Sequence, residues 1–205
     1  KGDWDKSTGF ENDYEFQKKW LSACYRVLKP EGTIWVSGTY HSIFQCGHAM
    51  QSIGYHILND ISWFKPNASP NLSCRFFTAS HETIIWARKS RKAKHIFNYD
   101  LMKNGNWSED SLKRPNLQMR SVWSINPPKT EEKKFGKHPT QKPLSLLERI
   151  VLASTNKGAV VLDPFNGSAT TGLASKKHSR KYIGIDMEKK YLELSKKRYQ
   201  DMFKD

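Results

Sequence analysis

Val161-Leu-Asp-Pro-Phe-Asn-Gly-Ser-Ala-Thr-Thr-Gly172 reads as a strand that runs into a turn of small residues and then into a helix, and Tyr182-Ile-Gly-Ile-Asp186 reads as the end of the next strand. A turn of small residues lets a ligand approach the backbone closely, and the helix behind it points its first N–H groups at a carboxylate or phosphate. Asp186 lies 23 residues beyond Asp163. A carboxylate at the end of the second strand can accept hydrogen bonds from both hydroxyls of a ribose, so the expected ligand contains an adenosine-like ribose. Two cofactor classes fit this outline. A dinucleotide site calls for Gly-x-Gly-x-x-Gly, and here Gly167 is followed by Ala169 and Thr170, where further glycines would help a pyrophosphate settle.

Outward from this turn, helices and strands alternate. Asn12 with Glu15 is expected to cap a helix whose apolar face is Trp20, Leu21, Cys24, Val27 and Leu28, ended by Pro30 and Gly32. Strands are expected at Thr33–Ser37, near His56–Trp63 and at Glu82–Ala87, with a helix near His41–Ser52 and a Pro- and Asn-rich loop at Pro66–Asn71. Further on, the pattern predicts helices at Leu144–Ser154, Thr170–Lys177 and Glu188–Met202, and strands at Ala159–Leu162 and Lys181–Ile185. Such alternation implies an α/β fold with a mainly parallel sheet.

The 205 residues carry 34 Lys and Arg against 20 Asp and Glu, a net charge of +14. Arg88 to Lys142 holds 14 basic and 5 acidic residues, net +9, together with Tyr99, Trp107, Trp123 and Phe135. Cations that neutralise phosphates, interleaved with rings that stack on bases, suit a nucleic-acid-binding insert at about 88–136; a solvated, Lys-rich surface has the same composition. The 37% hydrophobic content and seven Trp argue for a folded chain, and no apolar run approaches the roughly 20 residues that span a bilayer. Cys24, Cys46 and Cys74 are odd in number and far apart, which predicts reduced, mostly buried thiols in a cytoplasmic protein. His81-Glu82 has Ile85 where a zinc helix needs its second His, so no metal site is expected.

Asp163-Pro164-Phe165 and the residues after it resemble the Asp-Pro-Phe-x-Gly-Ser-Gly-Thr-Thr motif of S-adenosylmethionine-dependent DNA amino-methyltransferases. Lys137-His-Pro-Thr-Gln-Lys-Pro143 is similar to a second block of that family, and its place between the basic insert and the Asp-Pro-Phe turn matches the permuted, β-class order. Val27–Val36, Pro70–Arg75 and Glu82–Trp86 look like further landmarks. Within the family the likeness is to the second, adenine-specific methylases of restriction–modification systems acting at GATC.

The resemblance implies a single Rossmann-like methyltransferase domain over residues 1–205, with a mainly parallel seven-stranded sheet in permuted order. It implies S-adenosylmethionine as cofactor, single- or double-stranded DNA as partner, a possible homodimer, and methyl transfer to an exocyclic amine, adenine rather than cytosine. Asp163, Phe165, Gly167, Ser168, Thr170, Thr171 and Asp186 are the implied cofactor residues, with His138, Thr140 and Gln141 facing them; Ala169 stands where the family has Gly, and its suitability for a helix start predicts that binding survives. Candidate DNA contacts are Lys65, Arg75, Lys92, Lys94, Lys113, Arg114, Arg120, Lys133 and Lys134. The family's catalytic Asp-Pro-Pro-Tyr segment is not among residues 1–205, and Asn126-Pro-Pro-Lys129 reads as a linker instead. That segment is expected upstream of Lys1, shortly before Gly2-Asp-Trp-Asp5. A cytosine amino-methyltransferase of the same fold and a non-catalytic DNA-binding module with a residual cofactor fold are the alternative readings.

Overall fold

The computed structural model describes residues 6–107, 110 and 114–204. Gly2-Asp-Trp-Asp5 and Lys113 lie outside the described residues. The chain divides into two compact units, Asp3–Ile125 and Asn126–Asp205, so the basic stretch at 88–136 contributes to both.

In the first unit, helix α1 spans Phe10–Val27. It starts two residues before Asn12, with Gly9 at the N-cap and no side-chain cap; Asp13 Oδ1 accepts from the Thr8 amide just ahead of the helix at 2.9 Å. The helix stops before Pro30, whose ring disfavours helical geometry in the preceding residue. Helix α2, Ile43–Ile53, ends on Gly54 at φ +108°, with the Gly54 amide reaching back to the carbonyls of Met50 and Gln51. Leu21, Ile43, Cys46, Ala49 and Met50 from these helices meet Val36, Ile85 and Ala87 of the sheet to form the core.

The sheet contains β1 (Thr33–Gly38), β2 (His56–Phe64), β3 (His81–Arg88) and β4 (Val122–Ser124) in the order β1-β3-β2-β4. Trp35 pairs with Trp86 across β1 and β3, and Trp63 with Trp123 across β2 and β4. One sheet face therefore packs on the helices and the other is rich in tryptophan. The short helix α3, Tyr99–Asn104, was not evident in the sequence, nor was β4. His81-Glu82 opens β3 rather than a helix.

The second unit contains α4 (Leu144–Ser154), β5 (Val160–Asp163), α5 (Thr170–Lys177), β6 (Lys181–Gly184) and α6 (Lys189–Met202). β5 and β6 run parallel with Leu162 beside Ile183, which requires the α5 crossover between them. Arg180 ties this unit together at its far end, donating to the carbonyl and hydroxyl of Thr155 after α4.

Two expectations need correction. The described residues form sheets of four and two strands rather than one of seven, and two of the three pairings in the larger sheet are antiparallel. The physical reason lies in the connection: β2 and β3 are joined by a loop, not a helix, so the chain returns antiparallel. Cys24, Cys46 and Cys74 form no disulfide among the described residues, but Cys74 is exposed, because it sits in that loop at φ +53°. Among the described residues, no helix is long and apolar enough to cross a membrane.

Candidate cofactor site

β5 ends on Asp163, and the chain reverses to enter α5 within seven residues. The reversal requires two left-handed residues, Gly167 at φ +50° and Ala169 at φ +56°. Glycine adopts this conformation freely, whereas alanine incurs roughly 1–2 kcal/mol from its Cβ. The expectation that Ala169 suits a helix start is thus overturned: Ala169 is the N-cap of α5 and is left-handed. A Cβ on Gly167 would also meet the His138 ring at 3.1 Å, so this glycine is the point where the Lys137–Pro143 block closes over the turn.

Side chains from four elements, β5, α5, β6 and α6, brace the turn. Asp163 accepts from the Thr171 hydroxyl at 2.6 Å and from the Phe165 amide at 3.0 Å. Burial pushes its carboxyl above the usual carboxylate range, opposed by those two hydrogen bonds, and the nearby Asp186 charge pushes it further up. Asp186 accepts from the Gly167 amide at 2.7 Å and, through its other oxygen, from the Glu188 amide at 2.8 Å. Behind the turn, buried Asn166 accepts from Tyr182 Oη at 2.8 Å and donates to Ser195 Oγ at 2.9 Å. Arg198 of α6, also buried, donates to the Ser168 carbonyl and, at 3.0 Å, to Thr170 Oγ1.

His138, Thr140 and Gln141 line the same cleft as Asp163, Phe165, Gly167, Ser168, Thr170 and Thr171. Burial pushes the His138 imidazole below its ordinary value, an effect that Lys142 and Lys190 add to and Asp186 opposes, so the ring is neutral near pH 7. Its Nδ1 accepts from the Thr140 amide at 3.3 Å, and its ring meets Tyr191 edge-on at 4.2 Å. Nine of the ten cofactor candidates line this one cleft, and the tenth, Asp186, is bonded to Gly167. Asn166, Tyr182, Ser195 and Arg198 were not legible, because polarity alone does not show that packing turns them inward behind the turn.

A family profile described as DNA methylase, of the N6/N4 type, matches residues 1–197. The chain belongs to this family. The methylase is 53% identical to the Type II methyltransferase M2.DpnII of Streptococcus pneumoniae, over 97% of the chain and 71% of the relative. It is 48% identical to M2.MboI of Moraxella bovis, over 98% of the chain and 71% of that protein. The crystal structure of M1.HpyAVI in complex with SAM superposes with a TM-score of 0.72 at 29% identity, covering 93% of this chain and 85% of that one. The cytosine-N4-specific PvuII methyltransferase shares the fold, with a TM-score of 0.74 at 24% identity over 95% and 74% of the two chains.

The methylase acts on DNA with S-adenosylmethionine as cofactor, which when bound supplies an activated methyl group on a positively charged sulfur. The residues present fit it. Gln141 lines the cleft, and its Oε1 is buried with no hydrogen-bond donor among the described residues. Phe165 is 54% exposed on the cleft and offers an apolar plate to a flat base. Asp186 retains lone pairs on both oxygens beyond those its two amide partners use, enough for ribose hydroxyls.

The structure separates the basic candidates. Arg75, Lys92, Lys94, Arg114 and Arg120 are exposed. Lys65 pairs with Glu82 at 2.6 Å and lies over Trp63, and Lys134 pairs with Asp201 at 2.6 Å, so a phosphate would have to displace a carboxylate at either. Lys133 is partly buried. Trp107 and Trp123 of the basic stretch serve the fold instead of a ligand, whereas Tyr99 and Phe135 stay exposed. Trp123 is 4% exposed and donates to the Arg120 carbonyl, Trp107 donates to the Met102 carbonyl, and Phe97 packs on Trp86. A sheet face bearing four tryptophans has to be covered, and nearby rings are the efficient cover.

Proposed function

We propose that this methylase transfers a methyl group to the exocyclic amine of adenine in a short DNA sequence, GATC, as the modification enzyme of a Type II restriction–modification system. The observation that carries the reading is the 53% identity to M2.DpnII over 97% of the chain, which spans the cofactor turn, the facing His138 block and the β2–β3 loop alike. Asp163, Phe165, Gly167, Ser168, Thr170, Thr171, Asp186, His138, Thr140 and Gln141 hold the cofactor. The exposed Arg75, Lys92, Lys94, Arg114 and Arg120 contact the phosphates, for which they need no rearrangement.

Residues 1–205 supply the cofactor cradle and DNA-facing cations to this reaction. Methyl transfer from a sulfonium has its leaving group built in, so the task left to the protein is positioning: a base in line with the methyl, and water kept out. The test is methylation of duplexes containing GATC or a scrambled site by the full-length protein with labelled cofactor, followed by nucleoside analysis. N6-methyladenine confined to the GATC duplex supports the reading. N4-methylcytosine would establish the cytosine alternative, and cofactor binding without any transfer would establish the non-catalytic one.

A further inference from the structure

The loop between β2 and β3 leaves large apolar side chains in water: Phe77 is 98% exposed, Leu72 90% and Phe76 68%, with exposed Arg75 beside them in sequence. The segment is not merely loose chain. The Lys65 amide donates to the Ser80 carbonyl at 2.8 Å and closes its neck. Asn71 organises the interior, its Oδ1 accepting from the Ser73 amide at 3.0 Å and its Nδ2 donating to the Phe76 carbonyl at 2.7 Å. A folded loop that holds two phenylalanines and a leucine outward forgoes the burial these side chains would otherwise gain, which is the mark of a contact surface.

We propose that this loop is a base-stacking element: Phe77, with Phe76 and Leu72, packs against DNA bases left unpaired when the target nucleotide leaves the stack, while Arg75 contacts the adjoining phosphate. The inference rests on the DNA-methylation reading above. Charge complementarity chooses the occupant. The patch carries Arg75 and no acidic residue from Lys65 to His81, on a chain of net charge +14, so it suits a polyanion with exposed ring faces. A duplex whose base has been extruded presents such faces, and filling the gap with an apolar ring offsets part of the unstacking cost.

The experiment compares full-length wild type, the double variant Phe76→Ala/Phe77→Ala, and Arg75→Ala on two GATC duplexes. One duplex is fully paired, and the other carries a mismatch opposite the target base, so that unpairing is already made. Stacking predicts that the double variant loses about tenfold or more in kcat/KM on the paired duplex and several-fold less on the mismatched one. Arg75→Ala is expected to weaken both duplexes alike and to lower the salt dependence of binding. Equal losses on both duplexes by the double variant, or wild-type rates on both, overturn the proposal. A change in sedimentation of the double variant would also overturn it, assigning the loop to a contact between copies of the chain. A wild type that methylates no DNA at all removes the reading beneath and this inference with it, whereas an active wild type with unaffected variants removes this inference alone. Unchanged thermal unfolding of the variants shows that the fold is intact.

Discussion

The carboxylate of Asp186 accepts a hydrogen bond from the amide of Gly167 at 2.7 Å, tying the end of β6 to the turn that follows β5. The bond joins two residues that the sequence separates by 19 positions, and the proposed ribose contact would depend on it: a carboxylate held by two amides points one way before any ligand arrives. Asp186→Asn keeps the size but replaces one acceptor oxygen by a donor, which then faces a backbone N–H. Loss of a charge-assisted bond is worth about 1.5–3 kcal/mol, so calorimetry should give a cofactor Kd at least tenfold weaker. An unchanged Kd would remove Asp186 from the site.

The two left-handed residues of the turn respond oppositely to a methyl group. Gly167→Ala combines the roughly 1–2 kcal/mol of a left-handed alanine with a Cβ 3.1 Å from the His138 ring, and is expected to weaken cofactor binding by tenfold or more. Ala169→Gly relieves the same kind of strain, but glycine's greater unfolded-state entropy, about 0.5–1 kcal/mol, and the lost buried methyl offset it. Stability by denaturant unfolding is expected to stay within about 1 kcal/mol of wild type, with cofactor affinity retained.

What could be read in advance follows the range of the interactions concerned. The turn at Asp163–Thr171 was legible because its chemistry is local: small residues, a cap and an acid on the next strand. The helices α4 and α5 were placed to the residue for the same reason, each being bounded by its own signals, Pro143 ahead of one and the small-residue turn ahead of the other. The direction of β3 was not legible, since a strand's own pattern does not record which way its neighbour runs. Nor was the fate of Trp123, which had the composition of a base-stacking residue and is instead part of the covered sheet face. Arg198 was hidden by its surroundings in sequence: amid Lys196, Lys197 and Tyr199 it reads as one more surface cation, and only packing of α6 turns it inward.

That inward turn gives a third expectation. Arg198 holds the Ser168 carbonyl and Thr170 hydroxyl, so Arg198→Met removes two hydrogen bonds from buried acceptors. A loss of about 1.5–3 kcal/mol in unfolding free energy is expected, accompanied by weaker cofactor binding, because the strained turn loses its brace. Wild-type stability in this variant would show that the turn stands without α6.

Gln141 separates stability from binding. Its Nε2 donates to the Glu132 carbonyl at 2.9 Å while its Oε1 has no donor among the described residues. Gln141→Leu gives up one bond of about 1 kcal/mol and also removes an orphaned acceptor that costs a similar amount, so the cofactor-free protein should unfold within about 1 kcal/mol of wild type. The increase in Tm on adding S-adenosylmethionine is expected to shrink, since a polar side chain lining the cleft becomes apolar. An undiminished increase would mean that Gln141 serves only the wall.

His138 supplies a pH dependence whose sign can be worked out. Burial lowers its folded-state pKa below the ordinary 6.5, so between that lowered value and 6.5 the unfolded chain binds more protons than the folded one. Stability therefore rises with pH across this window and is lost as pH falls below 6.5, where folding must keep neutral a ring that the unfolded chain would protonate. His138→Gln removes the titration while keeping a polar side chain against Thr140 and Tyr191. The difference in unfolding free energy between wild type and variant cancels the contribution of groups common to both. That difference is expected to be flat above pH 7 and to shift against the wild type between pH 6.5 and 5. A difference that stays constant through this range would show that the imidazole titrates alike in the folded and unfolded protein, and the cleft would then be wetter at His138 than its burial beside Gly167 and Tyr191 implies.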